Sequence, residues 1–261
     1  MKKIASFNVN SINARMPVLQ KWLPSFQPDI VLLQEIKTEE DKFPLLDIEA
    51  LGYKSYAFGQ KAYNGVAILS KEPLLEIKQG LSGAEDEEAR YIEAKLDSGL
   101  TVASVYVPNG NGESEEKFNI KLKSKLEFLS LLKDRAKQLL ENNETGFVIG
   151  GDFNVIPSDI DVYNPKLFEG DALTNLDVRK KYQEIIYLGL TDAIGETLSL
   201  PAYSFWDYQG GAWQKDFGLR IDHLLLSPQA ADKLVKTGID KNPRAMEKPS
   251  DHTPVWCELD F

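Results

Sequence analysis

Short apolar or alternating runs recur along the chain and predict a series of β-strands. A run of about four to eight residues that is continuously apolar, or that alternates apolar and polar residues, is typical of a strand. Such runs cover residues 3–9, 29–35, 65–71, 90–96, 100–107, the stretch from 146 onward, 218–227 and the end of 248–259. A hairpin turn is expected at 97–99, between two of these runs.

Three longer segments repeat their apolar residues every three or four positions and predict amphipathic helices. They span about residues 14–26, 113–142 and 177–188. Segments 159–164 and 203–217 fit neither period and are interpreted as loops, the second of them rich in glycine and aromatic residues. Strands interspersed with helices indicate an α/β protein. The apolar stripe of the longest helix consists of Phe118, Leu122, Leu126, Leu129, Leu132, Ala136 and Leu139.

The stretch 146–157 places chemically useful side chains at the end of a buried strand. Asp152 and Asn154 follow an apolar run that ends in two glycines, Gly150 and Gly151. If the extended conformation continues, side chains alternate, and Asp152 and Asn154 point to the same side. The alternative is an Asx-type turn that only closes the strand. The two glycines leave room for the close approach of a neighbouring backbone or a ligand.

Other predicted strands also finish in polar residues. Because such groups recur at strand ends, one shared site is predicted. In the run 218–227, Arg220 and Asp222 are expected to share a face, since side chains alternate along a strand. The polar groups at or beside strand ends are Asn8, Asn10, Glu35, Tyr106, Asn109, Asp152, Asn154, Asp222, Asp251 and His252.

The composition limits the chemistry of such a site. One cysteine excludes an internal disulfide and a cysteine-rich zinc site, and two histidines argue against zinc held by several imidazoles. A metal here is expected to be a hard, carboxylate-bound cation such as Mg²⁺. The net charge of −10 argues against a broad basic surface for nucleic acid. A bound divalent cation would nevertheless present positive charge locally.

Length and hydrophobicity bound the organisation of the chain. With 261 residues, 43% of them hydrophobic, and no linker-like segment, a single domain over residues 1–261 is expected. No apolar run approaches the roughly 18 residues that a membrane span needs. The first residues follow a strand pattern and not that of a signal sequence. A soluble, cytoplasmic protein is therefore expected.

The groups at the strand ends point to metal-assisted hydrolysis of a phosphodiester. The chain shows no glycine-rich phosphate loop, no nucleophile elbow and no thiol nucleophile paired with a histidine base. Phosphodiester hydrolysis requires a cation near the phosphoryl oxygens, a positioned water molecule and hydrogen-bond donors. The carboxylates, amides and imidazole at the strand ends can supply these functions.

Six short motifs occur along the chain in a recognisable order. They are Leu33-Gln-Glu35, Asn64-Gly-Val-Ala-Ile-Leu-Ser70, Tyr106-Val-Pro-Asn-Gly110, Gly151-Asp-Phe-Asn154, Leu219-Arg-Ile-Asp222 and Ser250-Asp-His252. With these motifs the chain resembles the exonuclease III/AP endonuclease family of the DNase I-like endonuclease/exonuclease/phosphatase superfamily. The resemblance runs from residue 2 to about residue 259 and implies a four-layer α/β sandwich, with two packed, mostly antiparallel β-sheets flanked by helices.

The resemblance also implies roles for individual residues. Asp152 looks like the residue that positions or deprotonates the attacking water or protonates the leaving oxygen, and His252, paired with Asp222, looks like a phosphate-binding imidazole. The remaining catalytic positions implied are Tyr106 and Asn154. The implied metal ligands are Glu35 as the principal one, with Asn8, Asn10 and Asp251 in or near its shell.

A further set of residues resembles the family's substrate contacts. Phe205, Leu219 and Ile221 match positions that line a pocket for a flipped-out abasic sugar, which would reject a base-bearing nucleotide by size. Trp213 lies in the aromatic loop and is a candidate wedge into the duplex. Phosphate contacts are expected from Lys37, Asn64, Arg90 and Asn109.

The activity implied is that of a DNA-repair nuclease. It would hydrolyse the phosphodiester 5′ to abasic sites in duplex DNA, with 3′-to-5′ exonuclease and 3′-phosphatase activity, as a monomer that uses Mg²⁺ or, as a substitute, Mn²⁺. One alternative is a phosphodiesterase of the same superfamily that acts on a lipid headgroup or an inositol phosphate. Another is a DNA-damage binding module without catalysis.

Overall fold

A computed structural model describes residues 1–84 and 88–261 of the chain. In these residues twelve β-strands form two sheets of six strands each. The strands are β1 (Lys2–Asn8), β2 (Ile30–Gln34), β3 (Lys54–Phe58), β4 (Val66–Ser70), β5 (Leu75–Gln79), β6 (Tyr91–Lys95), β7 (Thr101–Tyr106), β8 (Phe147–Asp152), β9 (Thr191–Asp192), β10 (Asp222–Leu226), β11 (Leu234–Ile239) and β12 (Val255–Leu259). The helices are α1 (Ile12–Phe26), α2 (Leu45–Ala50), α3 (Glu115–Asn142), α4 (Leu176–Ile186), α5 (Ala193–Thr197), α6 (Ala212–Lys215) and α7 (Pro228–Ala231).

Each sheet is built around one parallel pair of strands. The first sheet has the order β11-β12-β1-β2-β4-β3 and the second the order β5-β6-β7-β8-β10-β9. β1 and β2 are parallel, as are β7 and β8, and the other neighbours in both sheets are antiparallel. The expectation of two mostly antiparallel sheets is confirmed. In each sheet, two central strands therefore end at the same edge.

Three apolar layers hold the sheets and helices together. Between the sheets, inward-facing residues of both, such as Leu32 and Val102, share one buried cluster. On the outer face of the first sheet, α1 buries Trp22 against Phe7, with the ring centroids 5.6 Å apart. On the outer face of the second sheet, α3 and α4 bury residues such as Leu129. This helix–sheet–sheet–helix arrangement is the predicted four-layer sandwich.

The long helix α3 begins two residues later than the period predicts, because of a local cap. Ser114 has an extended backbone, and its hydroxyl accepts a hydrogen bond from the backbone N–H of Lys117 at 3.3 Å. A serine at this position satisfies one of the N–H groups that a helix start leaves unpaired. Glu115 and Glu116 then occupy the first turn, where their charge favours the helix dipole.

The four strands that the sequence patterns do not predict, β3, β5, β9 and β11, are the four edge strands of the described sheets. β5 is exposed along its whole length, and β11 buries only Thr237. An edge strand buries few side chains, so it needs no sustained apolar run and carries a weak sequence signal.

The expectation that Arg220 and Asp222 share a strand face is wrong. The sheet ladder begins only at Asp222, and residues 219–221 lie outside it, with Leu219 in isolated bridges. The Arg220 guanidinium donates to Asp161, at 2.7 Å, and to Asp192, within a buried ion network. Asp222 instead contacts residues of the site described below.

None of the helices in the described residues is long and apolar enough to be a membrane-spanning segment.

Candidate active site

The ends of the central strands of both sheets meet in one place. Asn8 ends β1, Glu35 directly follows β2, Tyr106 ends β7 and Asp152 ends β8. These are the four strands of the two parallel pairs, so their carboxyl ends lie at the same edge of the packed sheets. The antiparallel strand β10 begins there, with Asp222 opposite Asp152 in the register. Topology thus brings together side chains that are far apart in the sequence.

Asn8 joins the two sheets at this edge. Its side-chain amide donates to Glu35 Oε1 at 2.8 Å and to Asp152 Oδ2 at 2.9 Å. Asn8 is fully buried, and its hydrogen bond to Asp152 is shielded from water, whereas the one to Glu35 is partly buried. One amide therefore sets the spacing between a carboxylate of the first sheet and a carboxylate of the second.

His252 is oriented by a buried carboxylate. Its Nδ1 lies 2.8 Å from Asp222 Oδ2, which also accepts a hydrogen bond from the Ser204 hydroxyl at 2.6 Å. A carboxylate accepts hydrogen bonds, so the proton of this contact is assigned to Nδ1. The other ring nitrogen, Nε2, lies 3.7 Å from Asp152 Oδ2. The imidazole is thereby aimed into the site.

The charges at the site shift two pKa values. Burial raises the pKa of Asp152 to about 7, and the negative charges of Asp222 and Glu35 add to this shift against the opposing effect of His252. Burial alone would lower the pKa of His252, but the carboxylates of Asp222 and Asp152 outweigh it and raise that pKa above its usual range. At neutral pH, His252 is therefore a cation and Asp152 can exchange a proton.

The chain turns directly after Asp152. Asn154 has a left-handed backbone with φ of 49°, and its backbone N–H donates to Asp152 Oδ1 at 2.9 Å. The Asx-type turn is therefore present, and the extended conformation does not continue through Asn154. The Asn154 side chain donates to Val107 O and accepts from Asn109 Nδ2, both at 3.0 Å. At Gly151, a Cβ atom would lie 1.9 Å from Val105 O, so the expected close backbone approach is confirmed.

A second set of oxygens lies on the other side of Glu35. Lys37 Nζ is 2.7 Å from Glu35 Oε2 and 2.6 Å from Asn10 Oδ1, and Asn10 Nδ2 donates to Asp251 Oδ1 at 3.1 Å. Burial raises the pKa of Glu35, but Lys37 and Asn8 outweigh it and lower that pKa. Glu35 and Lys37 both have positive φ, 49° and 52°, in a conformation that costs non-glycine residues about 1–2 kcal/mol each. The Lys37 ammonium thereby lies between Glu35 and Asn10.

The donor set fits a hard divalent cation. Ligand atoms of Glu35, Asp152 and His252 lie within 4.8 Å of one another. Carboxylate and amide oxygens are the ligands that Mg²⁺ prefers, whereas a protonated imidazole has no lone pair to offer a metal. The Lys37 ammonium between Glu35 and Asn10 shows that these oxygens already attract a cation. We therefore regard the oxygens around Glu35, and not His252, as the metal-binding candidates.

Three further predicted residues have contacts near this centre, and they are Tyr106, Arg90 and Asn64. The Arg90 guanidinium lies 4.9 Å from the Tyr106 ring centroid and contacts its backbone carbonyl. Burial, followed by the charges of Glu35 and Asp152, raises the pKa of the Tyr106 phenol, which therefore stays protonated as a donor. Asn64 is buried, and its side chain donates to Gln60 at 3.3 Å. Its backbone carbonyl accepts from the Lys37 N–H, so it supports the bend at Glu35.

An apolar cluster lies beside His252. The Phe205 ring is 4.9 Å from the imidazole, and Phe205 pairs with Leu219 in an isolated β-bridge. Leu219 and Ile221 are buried in this cluster, whose other members are Ile156, Val162 and Leu173, with Tyr163 and Phe168 at its border. The three residues expected to line a sugar pocket thus lie together next to the site.

Trp213 lies in a different cluster. Its ring packs edge-on against Trp206, with centroids 4.8 Å apart, and the Arg244 guanidinium lies 5.4 Å from it. The cluster also contains Tyr203 and Ala212. The structure therefore does not bring Trp213 to the centre with the other candidates, and its wedge role stays a prediction.

Several residues that contact the site are missing from the sequence-based set, and three of them contact its central groups. Ser204 donates to Asp222, the Ser250 hydroxyl donates to Asn8 O at 2.7 Å, and Lys125 contacts the backbone of Asn154. Ser250 lies within a motif that was recognised for its acid and imidazole. Lys125 is a charge on the apolar stripe of α3, three residues after Leu122 and four before Leu129, which is a detectable signal. Ser204 gives no such signal.

The fold and the site together define a class of hydrolase. Two packed sheets converge on carboxylates that could hold a metal ion, an imidazole–carboxylate pair and amide donors, which are the groups that hydrolysis of a phosphate ester requires. The family model described as the Endonuclease/Exonuclease/phosphatase family matches residues 5–252, and the chain belongs to this family. This is a family of metal-dependent nucleases, and the acidic cluster has the ligand atoms to hold a metal ion.

Individual relatives identify the branch of the family. The chain is 36% identical to an exodeoxyribonuclease III of Haemophilus influenzae, over 98% of this chain and 99% of the relative. Its structure is similar to that of the 3′ phosphatase NExo from Neisseria bound to product DNA hairpin, at 35% identity and a TM-score of 0.93 over 100% of both chains. It is also similar to an AP endonuclease from Archaeoglobus fulgidus, at 36% identity and a TM-score of 0.90 over 100% of both. The expectation of a DNA-repair nuclease is confirmed.

Proposed function

We propose that this chain hydrolyses the phosphodiester 5′ to abasic sites in duplex DNA, with additional 3′-to-5′ exonuclease and 3′-phosphatase activity. The observation that carries the proposal is the meeting of Glu35, Asp152 and His252, with ligand atoms within 4.8 Å of one another, at the ends of strands from two sheets. A cation site, a proton-exchanging carboxylate and a cationic donor then act on one phosphate. The relatives described as an AP endonuclease and a 3′ phosphatase support this choice of substrates.

Each residue of the site has a separate proposed role in the reaction. Asp152, with its raised pKa, holds the attacking water or exchanges the proton of the leaving oxygen. The protonated His252 donates from Nε2 to a phosphoryl oxygen, and Asp222 keeps the ring in the required orientation. Asn154 and Tyr106 add neutral donors beside Asp152. Fixed donors of this kind stabilise the charge that develops on the phosphoryl oxygens.

Mg²⁺ is the proposed cofactor, with Mn²⁺ as a substitute. When bound, the ion neutralises charge on the phosphate and raises the acidity of water near it. Glu35 would be its principal ligand, and Asn8, Asn10 and Asp251 would orient that carboxylate or complete the shell. Lys37 pairs with Glu35 and Asn10. We propose that an ion bound to Glu35 would release the Lys37 ammonium to contact the phosphate. The other proposed phosphate contacts are Arg90, Asn64 and Asn109.

The apolar cluster beside His252 supports specificity for abasic sites. Phe205, Leu219 and Ile221 offer a wall without hydrogen-bond partners for a base, and the Phe205 ring lies against the imidazole that contacts the phosphate. A sugar without a base leaves no polar edge unpaired in such a pocket, whereas a flipped nucleotide would.

We further propose that residues 1–261 form a single domain that acts as a monomer in the cytoplasm.

A duplex with one tetrahydrofuran abasic analogue tests this function. With Mg²⁺ we expect cleavage 5′ to the analogue, because the cation is needed to neutralise the phosphate; with EDTA we expect an intact strand, and added Mg²⁺ or Mn²⁺ should restore cleavage. The matched control is the same duplex with a normal nucleotide, which should be cut only from its 3′ ends. An intact abasic strand under all metal conditions would contradict the proposal.

A further inference from the structure

Lys125 is a charged residue in an apolar position. It lies on α3 between Leu122 and Leu129, on the stripe that packs against the second sheet, and it is 0% exposed. Lysine is almost never fully buried unless its charge is matched by partners. Its neighbours on the stripe are leucines, so the site on the helix does not by itself require a charge.

The partners of Lys125 are backbone carbonyls at the candidate active site. Nζ lies 2.9 Å from Asn109 O and 3.4 Å from Ala172 O, and it also donates to Asn154 O. An ammonium has three N–H donors, and three carbonyls from three separate segments match them. The aliphatic stem fits tightly, since a Cβ atom on Gly110 would lie 2.8 Å from Lys125 Cδ.

Burying the charge of Lys125 costs free energy, which indicates a role for this residue other than packing. Burial lowers the pKa of Lys125 to about 7, although the negative charges of Asp152 and Asp171 act in the opposite direction. Methionine has a similar volume and would pack α3 against the sheet without burying a charge, but it would leave the three carbonyls without their donor.

We infer that Lys125 is a positioning residue that holds the two active-site amides, Asn109 and Asn154, in register through their backbone carbonyls. The side chains of these asparagines hydrogen-bond to each other at 3.0 Å, and the Asn154 N–H holds Asp152 at 2.9 Å. The third carbonyl, of Ala172, precedes Leu173, which belongs to the apolar cluster beside His252. One ammonium therefore connects the backbone at Asn109, the turn that contains Asp152 and Asn154, and the apolar cluster beside His252.

This inference rests on the proposed function and predicts a specific defect in the Lys125→Met variant. We expect kcat on the abasic duplex to fall by about 10- to 100-fold with KM changed less than threefold, because a displacement of about 1 Å of reacting groups costs up to 100-fold in rate. Amide hydrogen exchange should become faster in the segments 107–111 and 153–156. The exposed control, Lys121→Met on the same helix, should match wild type in both measurements.

Two further variants separate positioning from general loss of stability. Leu129→Ala removes packing from the same stripe without touching the carbonyls, and it should lower the unfolding midpoint while kcat stays within about threefold. Should Lys125→Met fail to fold, Lys125→Gln, which keeps part of the donor capacity, takes its place. Wild-type kcat and exchange in the Lys125 variants would overturn the inference, as would an equal loss of kcat in Leu129→Ala.

The outcomes for the two proposals are distinguishable. If wild type does not cut the abasic duplex, the proposed function fails whatever Lys125 does. If wild type cuts and the Lys125 variants cut equally well, only the positioning role fails. Hydrogen exchange reports on the backbone segments of Asn109 and Asn154 in either case.

Discussion

Replacing Asp152 with asparagine is expected to lower the rate of abasic-duplex cleavage by about 10³- to 10⁴-fold. Asparagine has the same shape but cannot accept or release the proton, and it removes a negative charge that would orient the attacking water. The folded state should tolerate the change. Because the folded-state pKa of Asp152 is raised above its unfolded value, its ionisation costs stability at neutral pH, and a neutral side chain removes that cost.

The stability measurement makes this prediction specific to catalysis. We expect the unfolding midpoint of Asp152→Asn to stay within a few degrees of wild type, since the relief of charge offsets one lost hydrogen bond to Asn8. Asp159→Asn, at an exposed carboxylate, is the matched control and should keep wild-type turnover. Near wild-type turnover in Asp152→Asn would show that the assignment of its role is wrong.

The second large effect is expected from His252→Ala. Loss of the imidazolium should reduce kcat by about 10²- to 10³-fold, the usual effect of removing one donor to a developing oxyanion. This variant should also lose about 3–5 kcal/mol of stability, because Asp222 would remain as a buried carboxylate without its cationic partner. Steady-state kinetics and urea unfolding measure the two effects separately.

A double variant separates the two roles of His252. In His252→Ala with Asp222→Asn, position 222 no longer carries a buried charge without a partner, so the part of the stability loss that comes from Asp222 should be recovered. The rate should remain as low as in the single variant, because the phosphate donor is still missing. Recovery of activity together with stability would mean that His252 acts only by supporting the fold.

The interior of the fold is predictable from the sequence because burial leaves a pattern. The eight predicted strands lie inside the sheets, where both faces are covered, and the three long helices carry wide apolar stripes. Edge strands such as β5 lie in solvent, so their residues are free to be polar. The break before Asp222 was also not predictable from side-chain alternation, since it depends on the contacts of Arg220 with Asp161 and Asp192 from other segments.

The site was predictable to the extent that its groups lie at strand ends. Asn8, Glu35, Asp152 and Asp222 were all recognised in this way, and the two parallel pairs explain why they meet. The partner of Glu35 was not predictable. The phosphate contact of Lys37 stays a prediction, and in the structure the left-handed bend at residues 35 and 37 places its ammonium on Glu35 and Asn10. Such a bend depends on backbone hydrogen bonds to other segments, which no local pattern records.

The most direct measurement is anomalous diffraction from Mn²⁺-soaked crystals of the Asp152→Asn variant with an abasic duplex. The central claim is that Glu35 and His252 serve one cation and one phosphate. We predict a metal peak about 2.0–2.6 Å from a Glu35 carboxylate oxygen and the phosphate 5′ to the abasic sugar within hydrogen-bonding distance of His252 Nε2. A metal bound away from Glu35, or a phosphate seated on another surface, would contradict it.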